Sequence, residues 1–330
     1  MKPPTSMTER LAPSPPAAAE TAEHARVQVR EHAAPLKIMA GLAVIYVVWG
    51  STYFAIRIAI ETLPPMTMAG LRWLIAGLPL YVLLRLRGEP IRPPRRQWLA
   101  AGVIGSLMLL GGNGLVCWAE QTVASGLAAL IVGTVPLWIV LLEWLVFRGT
   151  RPTGRMLGGL ILGLAGILIL VGPRRLGGQP IHLPGGIALL LACAFWALGS
   201  LYSRRADLPR STWLATAMEM ILGGAVLLIV GLAVGEAGKL DLAAISLRSV
   251  LALGYLVVFG SVVALTTYLW LLQVCLPARV ATYAYVNPVI AILLGTLFAN
   301  EPLSPRVAVA AAVIVAAVVV ITRSSARRAR

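Results

Sequence analysis

Residues 277–302 read PARVATYAYVNPVIAILLGTLFANEP, from Pro277 to Pro302. Arg279 and Glu301 bracket 21 uncharged residues, Val280 to Asn300. As a helix these span about 30 Å, the hydrocarbon thickness of a bilayer. Pro288 stands mid-span, preceded by Asn287. The stretch has an echo: Ser125 to Pro136 reads SGLAALIVGTVP, and Pro277 to Pro288 reads PARVATYAYVNP. Both run 11 residues to a proline in mid-membrane. The echo points to a membrane protein built from two repeats.

Composition agrees. Hydrophobic residues make up 58% of the 330 and charged residues 12%, with mean hydropathy +0.84. Soluble chains carry about 25% charged residues. The net charge of +15 is not a nucleic-acid signature, because the arginines sit in short clusters between apolar runs. Such clusters are topology signals, so the expected partner is the lipid bilayer and not nucleic acid. Cys117, Cys193 and Cys275 form no disulfide framework and no metal-ligand spacing.

Ten apolar spans follow one another: Ile38–Ile60, Pro65–Leu84, Trp98–Ala119, Thr122–Phe147, Met156–Gly172, Gly185–Ser203, Ser211–Gly235, Ser249–Val274, Val280–Asn300 and Val307–Thr322. They are near-continuous apolar runs, which reads as helices; barrel strands would alternate in polarity. The last is short, with Arg306 and Arg323 placed to snorkel from its ends. Residues 1–36 are rich in Pro, Ala and Glu and read as a disordered cytoplasmic tail.

With the N-terminus inside, the cytoplasmic segments hold 21 Lys and Arg and the external ones five. Both termini are therefore expected in the cytoplasm. Five crossings per repeat is an odd number, so the second repeat must be inverted relative to the first. The expected fold is an all-α membrane protein of ten transmembrane helices in two inverted five-helix repeats. The repeats cover 37–173 and 184–323, and a basic tail, 324–330, follows. Inverted repeats are a common plan of secondary transporters, with the substrate at their interface near the midplane.

A second alignment supports the repeat. Trp49 to Arg57 and Trp196 to Arg204 are each eight residues, and Arg57 to Arg72 and Arg204 to Glu219 are each fifteen.

The WGST at Trp49–Thr52, the LRW around Arg72, the mid-helix Pro136 and the YVNP…E of Tyr285–Glu301 resemble EamA-type members of the drug/metabolite transporter superfamily. The resemblance covers roughly Lys37 to Arg323. It implies ten helices in two inverted repeats and movement of small metabolites, often amino acids, usually outward. There is one departure: the first repeat has Arg148-Gly149-Thr150 where Glu301-Pro302 stands in the second.

Charges inside a membrane cost about 2.5–3.5 kcal/mol each at a helix centre on insertion scales. Arg72 lies about 11 Å deep by helical rise, and Glu219 about 12 Å deep. Both must face the bundle interior or a wet cavity. One reading is a site with one cationic and one anionic group, suited to a zwitterion. The other is a structural pair that only holds the bundle together. Burial disfavours a charged carboxylate, so Glu219 is the candidate for proton coupling. Arg57 and Glu143 lie near a membrane surface, where long side chains snorkel, and Arg148 and Arg151 are placed to screen Glu143.

Trp49 and Tyr53 share one face of the first helix, and Trp196 repeats that face in the second half. Asn113 sits in a GGNG run within the third span. Tyr283, Tyr285 and Asn287 precede Pro288, where a broken helix would line a cavity. The substrate-binding candidates are thus Arg72, Glu219, Trp49, Tyr53, Asn113, Trp196, Tyr285 and Asn287.

The leading function is a secondary transporter of small metabolites in the plasma or inner membrane, acting as monomer or homodimer. No Walker A motif occurs, and no cofactor is expected. An intramembrane enzyme is the alternative, but His24, His32 and His182 all lie in the tail or a loop, and no H-E-x-x-H or G-x-S-x-G is present. An uncoupled, channel-like facilitator is the third reading.

Overall fold

The computed structural model describes residues 35–88, 93–149, 151–171, 182–275, 280, 282–300 and 304–328. Most of the N-terminal tail, Arg279 and Glu301 lie outside them. Among the described residues there is no strand. The helical segments in chain order are α1 (Pro35–Ala59), α2 (Pro65–Leu86), α3 (Arg95–Ala119), α4 (Ser125–Leu145), α5 (Gly154–Val171), α6 (Leu183–Ser203), α7 (Thr212–Ala233), α8 (Leu247–Val274), α9 (Tyr283–Phe298) and α10 (Pro305–Arg328). Seven of them, α1 to α4 and α6 to α8, are long and apolar enough to cross a membrane. Shorter apolar stretches lie within α9 and α10.

Local chemistry sets the ends. Pro65 opens α2 at a position where its missing N–H costs nothing. Ser211 caps α7 by accepting from the Leu214 N–H, and Ser246 caps α8 by accepting from Ser249. Gly235, at φ 80°, stops α7 in the left-handed conformation.

The largest helix contacts recur when each of α1–α5 is exchanged with the helix five places on. The second helices, α2 and α7, pack along their length, and so do the fifth helices, α5 and α10. The fourth helices, α4 and α9, also meet, while α3 lies on α6 as α8 lies on α1. Small residues permit the close crossings. A Cβ on Gly70 would meet Leu228, and one on Gly77 would meet Met220 at 2.7 Å. Numbers fall along α7 as they rise along α2, so the two are antiparallel. Gly163 faces Ala317 and Gly166 faces Ile314, so α5 and α10 are antiparallel too.

Two further features recur. The middle of α3 (Ser106–Gly114) and of α8 (Leu256–Val263) is wound as a π-helix. Each fourth helix is followed by a non-glycine residue at positive φ: Arg148 at 51° after α4 and Asn300 at 52° after α9. Both stand twelve residues beyond the proline of the sequence echo, Pro136 or Pro288.

The structure corrects several expectations. α9 runs unbroken through Pro288, from Tyr283 to Phe298. Its counterpart α4 does break, at Gly133–Thr134, just before Pro136. Pro136 there falls in the first turn of the second piece, where no donor is lost. The last helix is longer than expected at 24 residues, and it continues through most of the presumed tail. Arg306 does not snorkel. It is buried, and its Nε donates to the Ile169 carbonyl at 2.6 Å, near the C-terminus of α5, where a cation is favoured.

Candidate functional site

A cavity of about 70 Å³ lies between the two halves. Its walls come from α1 (Trp49, Thr52, Tyr53, Ile56), α2 (Arg72, Trp73), α3 (Gly112, Asn113, Val116), α4 (Val132), α6 (Ala192, Trp196) and α9 (Tyr283, Asn287). Six of the eight sequence candidates therefore converge on it. Glu219 is not among the lining residues, and the side chain of Tyr285 lies outside the described ones.

Arg72 is the only charged side chain among the described lining residues. It is 2% exposed. Its Nε donates to Ser261 Oγ at 2.8 Å, and its guanidinium carbon stands 4.3 Å from the centroid of the Trp73 ring. Its Nη1 has no hydrogen-bond partner. Two things thus fix the guanidinium plane, and one donor, Nη1, stays unspent.

The π segment of α8 supplies the fixing groups. Ser261 Oγ donates to the Leu256 carbonyl, five residues back, at 3.0 Å, which turns its lone pairs to Arg72. Gly260 leaves room for the guanidinium: a Cβ there would meet Arg72 Nη2 at 2.8 Å. The Gly260 carbonyl accepts from Trp49 Nε1 at 3.4 Å. Bulges of this kind are frequent at functional sites because they re-aim side chains. The π segment of α3 does the same for Asn113. Its Oδ1 accepts from Trp73 Nε1 at 3.2 Å, which leaves Nδ2, a donor, as its other polar end.

Four aromatic rings close the cavity at the end nearer the C-termini of α6 and α8. Trp49 stands 5.5 Å from Trp196, 4.9 Å from Tyr268 and 5.3 Å from Tyr283, centroid to centroid. Ser200 Oγ donates to the Trp196 carbonyl at 2.7 Å, so the Tyr268 hydroxyl, 2.9 Å away, donates to Ser200. Asn287 works as a cross-link. In the amide orientation its neighbours require, Nδ2 donates to the Tyr283 carbonyl at 3.2 Å and the Tyr46 carbonyl of α1 at 3.1 Å. Here α9 lies so close to α1 that a Cβ on Gly50 would meet Ile290 at 2.8 Å.

Arg72 and Glu219 form no ion pair among the described residues. The crossing of α2 and α7 explains this. A Cβ on Gly224 would meet Trp73 and Leu74, whereas Gly77 meets Met220 and Ala217. Arg72 is therefore level with Gly224, and Glu219 with Gly77, about five residues or 7.5 Å further along α2. Glu219 is 1% exposed, and its Oε1 has no partner.

Near the helix ends, Arg57 Nη1 donates to the Glu120 carbonyl. Glu143 pairs with Arg205 at 2.7 Å, joining α4 to the end of α6. Sequence reasoning missed Glu236, a buried carboxylate just past α7. Its Oε1 accepts from the Met66 N–H at 3.1 Å, and its Oε2 from the Thr67 N–H at 2.7 Å and the Thr67 hydroxyl at 2.8 Å. It thus satisfies the open N–H groups of α2, whose own cap position, Pro64, makes no side-chain bond.

Residues 36–172 and 183–323 each match the EamA-like transporter family. The chain belongs to that family. As an EamA-like transporter it is 44% identical over 270 residues to the uncharacterized inner membrane transporter YedA of Escherichia coli K12, covering 82% of this chain and 85% of that one. It is 25% identical over 267 residues to the probable amino-acid metabolite efflux pump of the same organism, covering 79% of this chain and 86% of the relative. A solved crystal structure with 23% identity superposes with TM-score 0.63, covering 87% of this chain and 97% of that one, and shares the fold. This EamA-like chain is thus a multi-pass helical membrane transporter.

Proposed function

We propose that the protein is a secondary transporter that moves small carboxylate-bearing metabolites outward across the cell membrane by alternating access between two inverted five-helix repeats, 37–173 and 184–323. Both termini are cytoplasmic in this reading. The observation that carries it is Arg72: a buried cation with an unspent donor, Nη1, at a cavity between the two halves. Buried cations inside membranes mark substrate or ion pathways. The antiparallel pairing of α2 with α7 and of α5 with α10 supports inversion, since corresponding helices of parallel repeats would run the same way. The name of the relative at 25% identity, an efflux pump, supports outward movement of metabolites.

The cavity is small beside the roughly 300–1,000 Å³ of ligand pockets, so the helices part to admit a metabolite. In the proposed orientation the four-ring cluster lies on the cytoplasmic side of Arg72. It closes the site from within, while α2 begins on the external side. Glu219 sits outside the cavity and is proposed to take part through its protonation, not by touching the substrate.

Reconstitution into liposomes tests the function. Saturable counterflow of a radiolabelled carboxylate, lost in Arg72→Gln and strongly weakened in Arg72→Lys, is the expected outcome. Lys is a poor substitute because it lacks the planar two-point donor edge. Flux that rises linearly with concentration and shows no counterflow would refute a carrier in favour of a channel-like path.

A further inference from the structure

We infer that the cavity selects organic monoanions, carboxylates with a flat apolar body and no ammonium group, over zwitterions and amines. The inference rests on reading the Arg72 cavity as the transport site, and it comes from the balance of charge there.

Arg72 contributes one positive charge, and no acidic side chain lines the cavity among the described residues. The three buried carboxylates on neighbouring elements do not supply the missing one. Glu219 is level with Gly77, about 7.5 Å further along α2 than Arg72. Both oxygens of Glu236 accept from the first turn of α2. Glu120, at the end of α3, is not among the residues that line the cavity.

A carboxylate docked on Arg72 Nη1 therefore brings the closed cavity to neutrality. A zwitterion docked the same way leaves an ammonium with no anionic partner, and a buried ion is stable only when paired. The polar groups in the wall do not change this. Asn113 has its Oδ1 occupied by Trp73, so it offers a donor, which serves a carboxylate and repels an ammonium. Asn287 has its donor end spent on two carbonyls, so only its oxygen remains, a neutral acceptor that does not replace an anionic partner. Aromatic faces attract cations, but the Trp73 ring already carries the Arg72 guanidinium at 4.3 Å. The remaining rings, Trp49, Tyr53, Trp196 and Tyr283, offer a largely apolar wall suited to a flat hydrocarbon body.

The test uses three ligands of one skeleton: 3-phenylpropionate (anion), phenylalanine (zwitterion) and phenethylamine (cation). Each is titrated into the purified full-length protein in detergent, and binding is read by calorimetry. The expected order is 3-phenylpropionate tightest, by about tenfold or more over phenylalanine, which is roughly 1.4 kcal/mol or more. Phenethylamine should not bind. In Arg72→Gln the anion should lose its advantage. In Arg72→Lys, which keeps the charge, the order should persist with weaker anion binding. Phenylalanine binding as tightly as the anion in an Arg72-dependent way would overturn the inference and leave the site standing. Binding of all three that ignores Arg72, or no binding by any, would overturn the site as well. A melting profile shows whether each variant is folded. If Arg72→Gln is not, the ranking in the unmodified protein decides the selectivity, and Arg72→Lys decides the site.

Discussion

Trp49 and Trp196 meet edge to face, with ring centroids 5.5 Å apart and planes at 85°. They hold matching places in the two halves, each eight residues before an arginine, Arg57 or Arg204. Counterparts under a two-fold relation can touch only near its axis. Under the two-fold relation proposed for the repeats, the contact places the centre of the arrangement at the rim of the cavity.

Arg72 and Glu219 are expected to be energetically independent. Arg72→Met, Glu219→Met and the double variant, compared by melting in detergent, should be additive to within about 0.5 kcal/mol. A double variant that regains about 3 kcal/mol over the singles would mean a buried ion pair after all. Transport should fail in Arg72→Met and stay lost in the double.

Glu219 bears on the driving force. Its carboxylate is buried and has an unpartnered oxygen. Glu219→Gln is expected to abolish flux driven by a pH gradient while sparing substrate exchange. Equal loss of both would assign Glu219 a purely structural role.

Glu236→Ala should destabilise the protein by about 1–2 kcal/mol, because the first N–H groups of α2 then lose their acceptor in a buried setting. Glu236→Gln keeps one acceptor oxygen and should lose less. The check is a shift in melting midpoint, with identical midpoints for Glu236→Ala and the unmodified protein as the contrary result.

Arg148 holds φ 51°, a conformation that costs a side chain with a Cβ and suits Asn300 at the matching position. Arg148→Gly is expected to raise stability by up to about 1 kcal/mol, since Gly adopts this conformation without strain. A lower melting midpoint would mean that the arginine side chain contributes more than the backbone loses.

Topology is checked with single cysteines in a background lacking Cys117, Cys193 and Cys275. A membrane-impermeant thiol reagent applied from outside should label Gln121→Cys and not Arg87→Cys, both at exposed positions. The reverse pattern would invert the proposed orientation.

Much of this arrangement was legible beforehand. Helices follow from apolar runs that must satisfy their own backbone in lipid. The matched spacing around Pro136 and Pro288 reappears in the positive-φ residues Arg148 and Asn300, each twelve residues beyond its proline. The convergence of Arg72, Trp49, Tyr53 and Asn113 followed from their depth in the spans. What could not be read was register. Whether Arg72 and Glu219 meet depends on where α2 crosses α7, and Gly70, Gly77 and Gly224 set that crossing only in three dimensions. Ser261 gave a faint signal, a small polar residue in an apolar run. Its role depends on a π turn that no spacing rule reveals. Glu236 gives no signal in the sequence, since its partners lie some 170 residues away in the chain.

The Glu236 cap also has a mechanical meaning. It fastens the start of α2 to the end of α7, two helices already locked along their length through glycine contacts. These two form a strut whose ends cannot separate without exposing a carboxylate and two N–H groups at once. Arg72 is mounted on this strut. In the alternating access proposed above, exchange between the two faces of the membrane is then carried by the helices around it, which swing past a charge that stays still.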